Sequence, residues 1–588
     1  MDRNSIIGFI LIAILITAWL LYQSFTQRPE PTPLKEKQKT EQKAANDSIV
    51  DSNNDEVITE EKVINDSSNL VAKYGPTFLP FTQGYEEIIV VENELVRAKL
   101  SSKGATLIEW KLKKYKQWND YSTQLIWGEK GQLFLTFPTR EIQRGEVDTR
   151  DLFFKFDNQG QYNYSIKGKD SLIITAKLDI SPSKSIVKKF KFYGNQYVVV
   201  TDIEINNLDD LLLPRGFSFG WTDGLRYQEK NSVDESSDAV AMTSIRGELF
   251  EIDASDNDPV KEKKSGRIEF AALKIKYFTA AIIPQPKNSV EATVDLDGSR
   301  QHVEDEGVIE RYNMNIRLPY KSGIEKHSFL VYIGPLDYDI VSGYGLEATI
   351  NFGWRWLIRP IGEYFMLPFF KLIHHFVANY GISLIIFSIL IKILLYPLSI
   401  GQMRSANKMK LLAPEMEKIR EKFKDDPKVQ QQETMKLYTE YGINPAGGCL
   451  PLLLQMPILY ALWSVLRTSI DLRQADFFLW ITDLSVPDSI ISFPFSLLGI
   501  KSLSGLALLM GITLFLQQKL TITDPRQKAL IYIMPIMFTL MFSNFPAGLN
   551  LYYFVFNLLG IIQQVYINNF SKKKLTLADL KKMPKKEG

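Results

Sequence analysis

The sequence predicts a polytopic α-helical membrane protein of six spans that carries a large antiparallel β-sandwich domain outside the membrane. Two contrasting regions lead to this fold class. Residues 27–350 are mostly polar and charged, with short runs that alternate apolar and polar side chains, whereas residues 352–570 are crowded with Leu, Ile, Phe, Met and Tyr. A further apolar stretch occupies residues 6–22. Alternation with a period of two is typical of half-buried strands, and apolar runs of about 17 or more residues are typical of membrane spans.

Residues 1–26 are predicted to be a membrane anchor. Within them, residues 6–22 are almost entirely apolar, and the sequence QSFTQRPE that follows has no small-x-small cleavage site. A cleaved secretory signal is the alternative, because such a signal also begins with an apolar segment. Residues 27–77 are rich in Lys, Glu, Gln, Asn, Asp and Ser and bury too little to fold, so we expect a disordered tether outside the membrane.

Residues 78–350 are predicted to form the β-sandwich. Runs such as SLIITAKLDI and RYNMNIRLP alternate with a period of two and are separated by Gly, Asn, Asp and Pro turns. Such spacing is typical of an antiparallel sheet domain. We interpret Asp234, Glu235 and Asp238 as solvated loop residues rather than as a general acid and base, because no second motif supports catalysis.

Residues 351–380 are predicted to form an amphipathic helix at the membrane interface. Trp354, Arg355 and Trp356 stand beside apolar bulk there, a composition that is typical of interfacial helices. A helix packed against the β-domain is the alternative, because periodicity does not distinguish lipid from protein as the apolar partner.

Five further spans follow, and together with the anchor they make six. Lys and Arg are dense between the second and third spans and again after the sixth, which places both regions in the cytoplasm. With six spans, both termini are expected in the cytoplasm and the β-domain outside. The five spans of the membrane core, which is predicted over residues 381–570, are residues 381–399, 449–466, 503–518, 529–545 and 549–568.

Residues 403–442, between the second and third spans, are predicted to form a cytoplasmic helical hairpin. Pro414 suits the first turn of its first helix, and Gly442 is placed to end its second. The hairpin could dock on a membrane surface, a ribosome or a targeting factor, and a merely solvated hairpin is the alternative. With the basic tail 571–588 it supplies the candidate docking residues Arg404, Lys408, Lys410, Lys418, Arg420, Lys422, Lys572, Lys573 and Lys574.

Lys392 is the leading candidate for a functional residue within the spans. It lies about 16 Å along a helix that starts at Gly381, near the middle of a hydrocarbon layer about 30 Å thick. Residues 381–399 contain no acidic residue that could pair with it. A lysine at that depth costs roughly 2.5 to 3.5 kcal/mol on insertion scales, so we expect water or a polar cavity around it.

Other polar residues are candidates to share that cavity. Ser388 and Tyr396 lie one helical turn before and after the lysine on the same face. Gln455 and Asn557 lie deep in their own spans, whereas Gln517 lies late in its span, where placement at the interface is the alternative. If several of these side chains converge, they form a hydrated groove within the membrane.

Composition excludes several other classes of function. The formal net charge of +2 is too small to attract a nucleic acid by field alone. The single cysteine, Cys449, rules out an intramolecular disulfide and a multi-cysteine metal site. Only four histidines are present, which argues against a histidine-rich metal centre, so we expect neither a metal nor a cofactor.

Four strings in the C-terminal region resemble the YidC family of membrane protein insertases. They are LLYPLS, INPAGGCLPLLLQMPI, FPAGLNLYY and IIQQ, in this order. The resemblance covers roughly residues 350–570. The anchor, tether and β-domain are similar in layout to the Gram-negative form, whose periplasmic domain is a β-sandwich like that of sugar mutarotases.

The resemblance implies a non-enzymatic insertase of the bacterial inner membrane that helps newly made proteins integrate, fold and assemble, alone or with the Sec translocon. Its groove would open to the cytoplasm and to lipid and be closed on the outer side. Lys392 matches a position where many members carry arginine, and Gln517 is implied as a groove residue. The hairpin and the basic tail would contact ribosomes and targeting factors. The implied partners also include nascent membrane proteins and membrane lipids, and no cofactor is implied.

Two alternatives from other classes stay open at this point. Ser388 and Lys392 stand one turn apart, as the nucleophile and base of a membrane hydrolase would, although no oxyanion motif or third group accompanies them. The β-domain could instead make the chain a carbohydrate-binding envelope protein.

Overall fold

The structure is a computed structural model that describes residues 70–570 with short gaps. The chain divides between Thr349 and Ile350 into two compact units. The predicted anchor, most of the predicted tether, Cys449 and the basic tail with Lys572, Lys573 and Lys574 lie outside the described residues. The gaps within the described range are residues 129, 143–144, 256–257, 288–289, 305–306, 425, 443–449, 498–499 and 522–527.

The β-domain begins earlier in the chain than predicted. Residues 70–78 form a helix (α1), which the 3₁₀ turn Leu79–Thr82 continues. Tyr74 and Phe78 on this helix are buried. The end of the predicted tether is therefore wrong, because burial of these two aromatic rings orders the chain from residue 70 onward.

The unit before Ile350 is built mainly of β-strands. The short helices α2 (Ser232–Ser236) and α3 (Tyr338–Ser342) and the 3₁₀ turns Thr149–Asp151 and Glu347–Thr349 connect some of them. Its strands are β1 (Ile88–Glu92), β2 (Val96–Ser101), β3 (Thr106–Lys116), β4 (Ser122–Gln124), β5 (Phe134–Phe137), β6 (Val147–Asp148), β7 (Lys155–Phe156), β8 (Asn163–Ser165), β9 (Ser171–Ser181), β10 (Lys184–Tyr193), β11 (Val198–Asn206), β12 (Phe217–Trp221), β13 (Val240–Ile245), β14 (Glu248–Ile252), β15 (Val260–Lys274), β16 (Phe278–Gln285), β17 (Glu291–Val303), β18 (Gly307–Leu318) and β19 (Ile324–Pro335).

These strands form two sheets. The larger has the order β6-β5-β12-β18-β17-β15-β16-β19-β11-β10-β9-β7, with β13 joined to β15 and β14 joined to β13, and its described pairings are antiparallel. The smaller has the order β4-β3-β2-β1-β8, and β1 pairs with β8 in parallel. Along β18, buried and partly exposed residues alternate strictly, as a sheet with one face on the core requires. The predicted large antiparallel β-domain is confirmed.

Trp110 joins the core faces of the two sheets. It lies on β3 of the smaller sheet, and its indole N–H donates a hydrogen bond of 2.8 Å to the carbonyl of Ile333 on β19 of the larger sheet. Its ring stacks on Phe192 of β10 with the ring centres 6.4 Å apart. A buried indole N–H needs an acceptor. This bond therefore fixes the orientation of the Trp110 ring and holds the smaller sheet against the larger one.

Lys188 is a charged group in the interior of the β-domain. Its side chain on β10 is fully buried, and its ammonium donates hydrogen bonds of 2.5, 2.6 and 3.3 Å to the carbonyls of Ala105, Leu133 and Gly104. Burial lowers the pKa of Lys188 to about 7, and Asp148 opposes this shift. The lysine thus joins β10 to two other backbone segments, at the cost of desolvating its charge.

We expect the free energy of unfolding of the β-domain to rise between pH 7.5 and 9.5. The pKa of Lys188 is about 7 in the folded state and 10.5 in its ordinary state, so the unfolded chain binds more protons in this window and stability increases with pH. The slope contributed by one group is at most about 1.4 kcal/mol per pH unit. Denaturant titrations of the full-length protein measure it. Lys188→Met should remove this rise and Lys189→Met, at an exposed site of the same strand, should keep it, whereas equal slopes in both variants would contradict the assignment.

The acidic residues of α2 are not the solvated loop residues that the sequence predicts. Asp234 forms an ion pair of 2.7 Å with Lys276. Glu235 is fully buried and accepts hydrogen bonds from the backbone N–H groups of Gln228 and Glu229, at 2.8 to 3.0 Å. The local sequence conceals this role, because the amides that Glu235 binds become its neighbours only when the preceding turn folds back.

The unit from Ile350 onward is mainly helical. Its described helices are α4 (Ile358–Ile361), α5 (Leu367–Phe376), α6 (Tyr380–Leu394), α7 (Tyr396–Lys422), α8 (Pro427–Glu440), α9 (Leu450–Thr468), α10 (Gly505–Thr521), α11 (Lys528–Phe542) and α12 (Ala547–Phe570). The strands β20 (Ser489–Leu497) and β21 (Ile500–Ser504), which the sequence does not predict, pair as a hairpin before α10. In the part of the chain that the structure describes, no helix combines the length and the apolar character needed to cross a membrane.

Helix α6 is shorter than the span predicted at residues 381–399. It stops before Leu395, whose backbone angles (φ −84°, ψ 2°) leave the helical region, and α7 starts immediately afterwards. Pro397 explains the interruption, because its ring nitrogen has no hydrogen to donate to the carbonyl of Ile393. The prediction of one continuous helix here is wrong.

Pro414 does not stand in a first turn. It lies inside α7, which runs for 27 residues, and the proline of the first turn is Pro397. The predicted helix start is wrong because α7 continues from the end of α6 instead of beginning near residue 411. A proline does stand in the first turn of this helix, but it is Pro397, which lies 17 residues before Pro414.

The predicted helical hairpin is formed by α7 and α8. Leu412 and Met416 on α7 pack with Tyr438 on α8 in a small buried core. Gly442 follows α8 with a φ of 63°, a left-handed conformation that glycine adopts without strain. Its predicted role in ending the second helix is confirmed.

The predicted amphipathic helix is a run of α4, a π-turn at Gly362–Met366 and α5. Its ring side chains pack along α6, where the ring of Phe369 lies 5.6 Å from that of Phe387 and the ring of His374 lies 3.7 Å from that of Tyr380, measured between centres. Trp354 and Trp356, which precede the run, are 64% and 77% exposed.

Candidate functional site

Two of the predicted groove residues meet on one face of α12. The ammonium of Lys392, from α6, lies 3.9 Å from the ring centre of Phe556. One turn later on α12, a Cβ added to Gly560 would lie 3.3 Å from that ammonium and 3.0 Å from the amide nitrogen of Gln517, from α10. The absence of a side chain at Gly560 therefore lets polar groups of α6 and α10 converge over the backbone of α12.

The ammonium of Lys392 has no acidic partner in the part of the chain that the structure describes. Among the described residues, no acidic side chain lies within ion-pair distance of its ammonium and no hydrogen-bond acceptor reaches it. An aromatic face attracts a cation by about 0.5 to 2 kcal/mol, which is much less than a buried ammonium loses on leaving water. The contact with Phe556 alone therefore does not compensate the charge of Lys392, whose side chain is partly exposed.

Further glutamine amides on α10 and α12 are shielded from solvent. Both amide atoms of Gln563 and the amide oxygen of Gln518 are shielded from solvent without a hydrogen-bond partner among the described residues. The amide nitrogen of Gln564 donates a hydrogen bond of 3.2 Å to the side-chain oxygen of Asn407 on α7. Buried amides are normally satisfied by protein or by ordered water, so these groups need a partner that the described side chains do not supply.

The remaining predicted groove residues do not all reach this point. Ser388 is fully buried and donates a hydrogen bond of 2.7 Å to the carbonyl of Leu384 in its own helix, so it offers no exposed hydroxyl. Gln455 and Asn557 are partly exposed and Tyr396 is 42% exposed. No hydrogen bond between described side chains joins any of them to the lysine. The arrangement also lacks the hydrogen bond from serine to lysine that a hydrolase of this type needs.

Sequence reasoning missed Phe556 and Gly560. Each is unremarkable alone, because aromatic residues and glycines are frequent in apolar helices. Their spacing of four residues puts both on one face of α12, opposite a lysine on another helix, and this pairing is the signal that could have indicated them.

For the insertase activity that the resemblance implies, Gly560→Leu should cause a severalfold loss, and Gly560→Ala a smaller one. The leucine side chain would occupy the space between the ammonium of Lys392 and the amide of Gln517, whereas both flexible ends can yield to a single methyl group. Incorporation of a client into vesicles by the purified variants measures the effect. Gly401→Leu, at an exposed glycine with no atoms near its Cβ position, is the matched control. Equal activity of the two leucine variants would show that the client does not need the space between Lys392 and Gln517 at Gly560.

A buried polar cluster stands at the N-terminal ends of α10 and α12. The carboxylate of Asp488 accepts hydrogen bonds from the indole N–H of Trp480 at 2.9 Å, from the backbone N–H of Leu506 at 2.7 Å and from the Ser504 hydroxyl. Asn550 donates a hydrogen bond of 3.2 Å to the same hydroxyl. The cluster lies about 15 Å along α12 from Gly560, at 1.5 Å per residue, and ties a loop to two helix starts.

The predicted docking residues that the structure describes lie along α7. Lys410, Lys418, Arg420 and Lys422 are exposed, Lys408 is partly exposed, and the backbone of Arg404 belongs to the same helix. Lys418 forms an ion pair of 2.9 Å with Glu415. Among the described residues, no group of three or more His, Cys, Asp or Glu side chains is arranged to hold a metal ion.

Two family models match the chain, one in each unit. Residues 88–363 match the model described as the YidC periplasmic domain, and residues 372–574 match the model described as 60Kd inner membrane protein. The chain is therefore of the class of inner membrane proteins that carry a periplasmic domain, and the β-domain described above is that domain.

Relatives of similar length identify the family. A membrane protein insertase YidC from Pelodictyon phaeoclathratiforme is 39% identical over 590 residues, which cover 99% of this chain and 96% of the relative. One from Chlorobium luteolum is 38% identical over 586 residues, which cover 97% and 96%. The chain belongs to the YidC family of membrane protein insertases.

Solved structures show weaker likenesses. The crystal structure of an active YidC insertase covers 87% of this chain and all of its own, with 18% identity and a TM-score of 0.35. A galactose mutarotase-like protein from Lactobacillus casei matches 42% of this chain and all of its own, with 12% identity and a TM-score of 0.26. The family assignment rests on the sequence relatives and not on these two structures.

Proposed function

We propose that this member of the family helps newly made proteins to integrate, fold and assemble in the inner membrane, and that it receives them in a hydrated groove at Lys392 and Gln517. The observation that carries the proposal is the uncompensated ammonium of Lys392 beside the glycine crossing at Gly560. No nucleotide, metal or bond-breaking step is required, so the activity is that of an insertase and not of an enzyme.

The groove works by lowering the cost of carrying a short polar segment partway across the bilayer. Water and glutamine amides replace part of the hydration of that segment, and the ammonium of Lys392 attracts acidic groups in it. The apolar span of the client then moves into lipid, where each central Leu, Ile or Phe contributes roughly 0.3 to 0.6 kcal/mol. Gln455, Asn557 and Tyr396, which are at least partly exposed, are assigned to the same path. Ser388 does not take part directly, because its hydroxyl is bonded within α6.

The proposal includes a topology and a set of partners. Six spans, with both termini in the cytoplasm and the β-domain in the periplasm, place the hairpin of α7 and α8 in the cytoplasm. The segment 351–380 lies at the membrane interface, and residues from 27 onward tether the β-domain. The exposed lysines and arginines of α7, with the basic tail, suit the phosphate-rich surface of a ribosome or a targeting factor. The Sec translocon and membrane lipids complete the partners.

Site-specific photo-crosslinking to a ribosome-stalled nascent membrane protein tests the groove. A photoreactive residue at 392 or 517 should crosslink to the client, and one at Leu390, which is 36% exposed on another face of α6, should not. Crosslinks from Leu390 alone would place the client on the lipid-facing surface and contradict the groove. The test compares the positions at which crosslinks form, so its outcome does not depend on the rate of insertion.

A further inference from the structure

An apolar cleft of about 400 Å³ lies within the helical unit, on another side of α6. It opens between the segment that joins α4 to α5, the C-terminal end of α6, and α9. The described residues that line it are all apolar and include Ile361, Phe365, Met366, Ile391, Leu394 and Ile458.

Two irregular helix segments line this cleft. On one wall, the backbone N–H of Leu367 bonds to the carbonyl of Gly362, five residues back, which widens the helix into the π-turn. On the other wall, α6 ends at Leu394 because Pro397 cannot continue its hydrogen bonding. Helices that depart from regular geometry at the same level cannot pack their side chains closely, so a gap is left between them.

The cleft is distinct from the groove at Lys392. Its α6 lining residues, Ile391 and Leu394, are three positions apart and share one helix face. Lys392 follows Ile391 by about 100° around the helix and points to Phe556 on α12. One helix end therefore presents a polar side to α12 and an apolar side to the cleft.

The cleft continues into a surface that faces lipid in a membrane protein. Leu394 is 58% exposed and Phe365 is 40% exposed at its edge, and Leu372 on α5 and Ile393 on α6 are also exposed. Large exposed side chains of this kind on helices of an inner membrane protein are covered by acyl chains. Continuity with that surface makes a hydrocarbon chain the natural occupant.

The size of the cleft suits a single acyl chain better than a transmembrane helix. One turn of helix, with a diameter of 10 to 12 Å and a pitch of 5.4 Å, fills roughly 400 to 600 Å³. The cleft is thus comparable in volume to one turn, whereas a client span needs about five or six turns. A single flexible acyl chain fits because it is narrow and can bend to follow the walls.

We infer that the cleft binds one acyl chain of a membrane phospholipid and so fills the gap between the α4–α5 segment and α6. The bound chain replaces contacts that the irregular helices cannot make with each other. The amphipathic segment is then held to the helical core through lipid as well as through the Phe369 and Phe387 rings. This inference concerns lipid and stands apart from the proposed path of the client.

Photolabelling in proteoliposomes tests the inference. The full-length protein is reconstituted in phosphatidylethanolamine and phosphatidylglycerol with a trace of phosphatidylethanolamine that carries a diazirine on its acyl chain. After illumination, peptides that contain residues 358–367 and 391–395 should carry at least five times as much label per exposed apolar residue as the rest of the helical unit. Uniform labelling would overturn the inference.

Two tryptophan variants make the test specific. Leu394→Trp should fill the cleft and lower its labelling severalfold, whereas Ile393→Trp, at the neighbouring exposed position that does not line the cleft, should leave it unchanged. Both variants are first shown to insert a client, which separates this test from the role of Lys392. Unchanged labelling of Leu394→Trp, or a crosslink from residue 394 to a client span, would contradict a lipid site.

Discussion

Lys392→Glu should slow client insertion by about tenfold or more, and Lys392→Arg should keep most of the activity. In a partly dehydrated groove with an effective dielectric constant of about 20, two unit charges 4 Å apart interact by roughly 4 kcal/mol. Reversing the charge turns attraction for acidic groups of a client into repulsion. Arginine keeps the charge and stacks well on an aromatic face, so its contact with Phe556 is expected to persist.

Insertion of a client with an acidic translocated segment into vesicles, by equal amounts of reconstituted protein, measures this effect. Insertion of a client whose segment is neutral should be slowed less by Lys392→Glu, because the glutamate does not repel that segment. Only the cost of desolvating the glutamate then remains. Lys519→Glu, at an exposed lysine near the end of α10, is the matched control for charge reversal and should have little effect. Normal rates for Lys392→Glu with the acidic client would refute the role of the charge.

Asp488→Ala should lower the free energy of unfolding of the helical unit by about 3 kcal/mol or more. The alanine leaves the indole N–H of Trp480, the backbone N–H of Leu506 and the Ser504 hydroxyl buried without their acceptor. Each buried polar group that loses its partner costs about 1 to 3 kcal/mol. The carboxylate also stands at the start of α10, where a negative charge is favourable.

Thermal unfolding of the purified protein in detergent measures the loss at Asp488. Asp488→Asn keeps the volume and one carbonyl acceptor and should lie between the wild type and Asp488→Ala. Asp476→Ala, in the same loop region, is the control for removing a negative charge. If Asp488→Ala unfolds at the temperature of the wild type, the cluster does not hold the ends of α10 and α12 together.

Local patterns predicted the element types well and their ends less well. Period-two alternation predicted the antiparallel β-domain, because a sheet with one buried face imposes that pattern on each strand. The end of α6 was missed because an apolar run does not show where a downstream proline removes a hydrogen bond. Pro414 was misplaced for a related reason, since a proline exposed on one side of a long helix gives the same signal as a proline in a first turn.

The sequence predicts the charged residue of the site, Lys392, but not the residues that surround it. Lys392 is conspicuous because an apolar run makes an isolated ammonium costly. Gln517 was indicated by resemblance, and its approach to the lysine depends on the missing side chain of Gly560. Ser388 shares a helical face with the lysine in sequence, but its hydroxyl satisfies itself within α6, a competition that spacing alone does not reveal.

The accessibility of residue 392 to water tests the central claim most directly. In a Cys449→Ser background, Lys392→Cys, Gln517→Cys and Leu390→Cys are each exposed, in sealed membranes, to a water-soluble thiol reagent from the cytoplasmic side. A hydrated groove predicts rapid labelling at 392 and 517 and little at 390. Labelling at 392 that appears only after denaturation would mean that the lysine is packed dry, and it would contradict the groove.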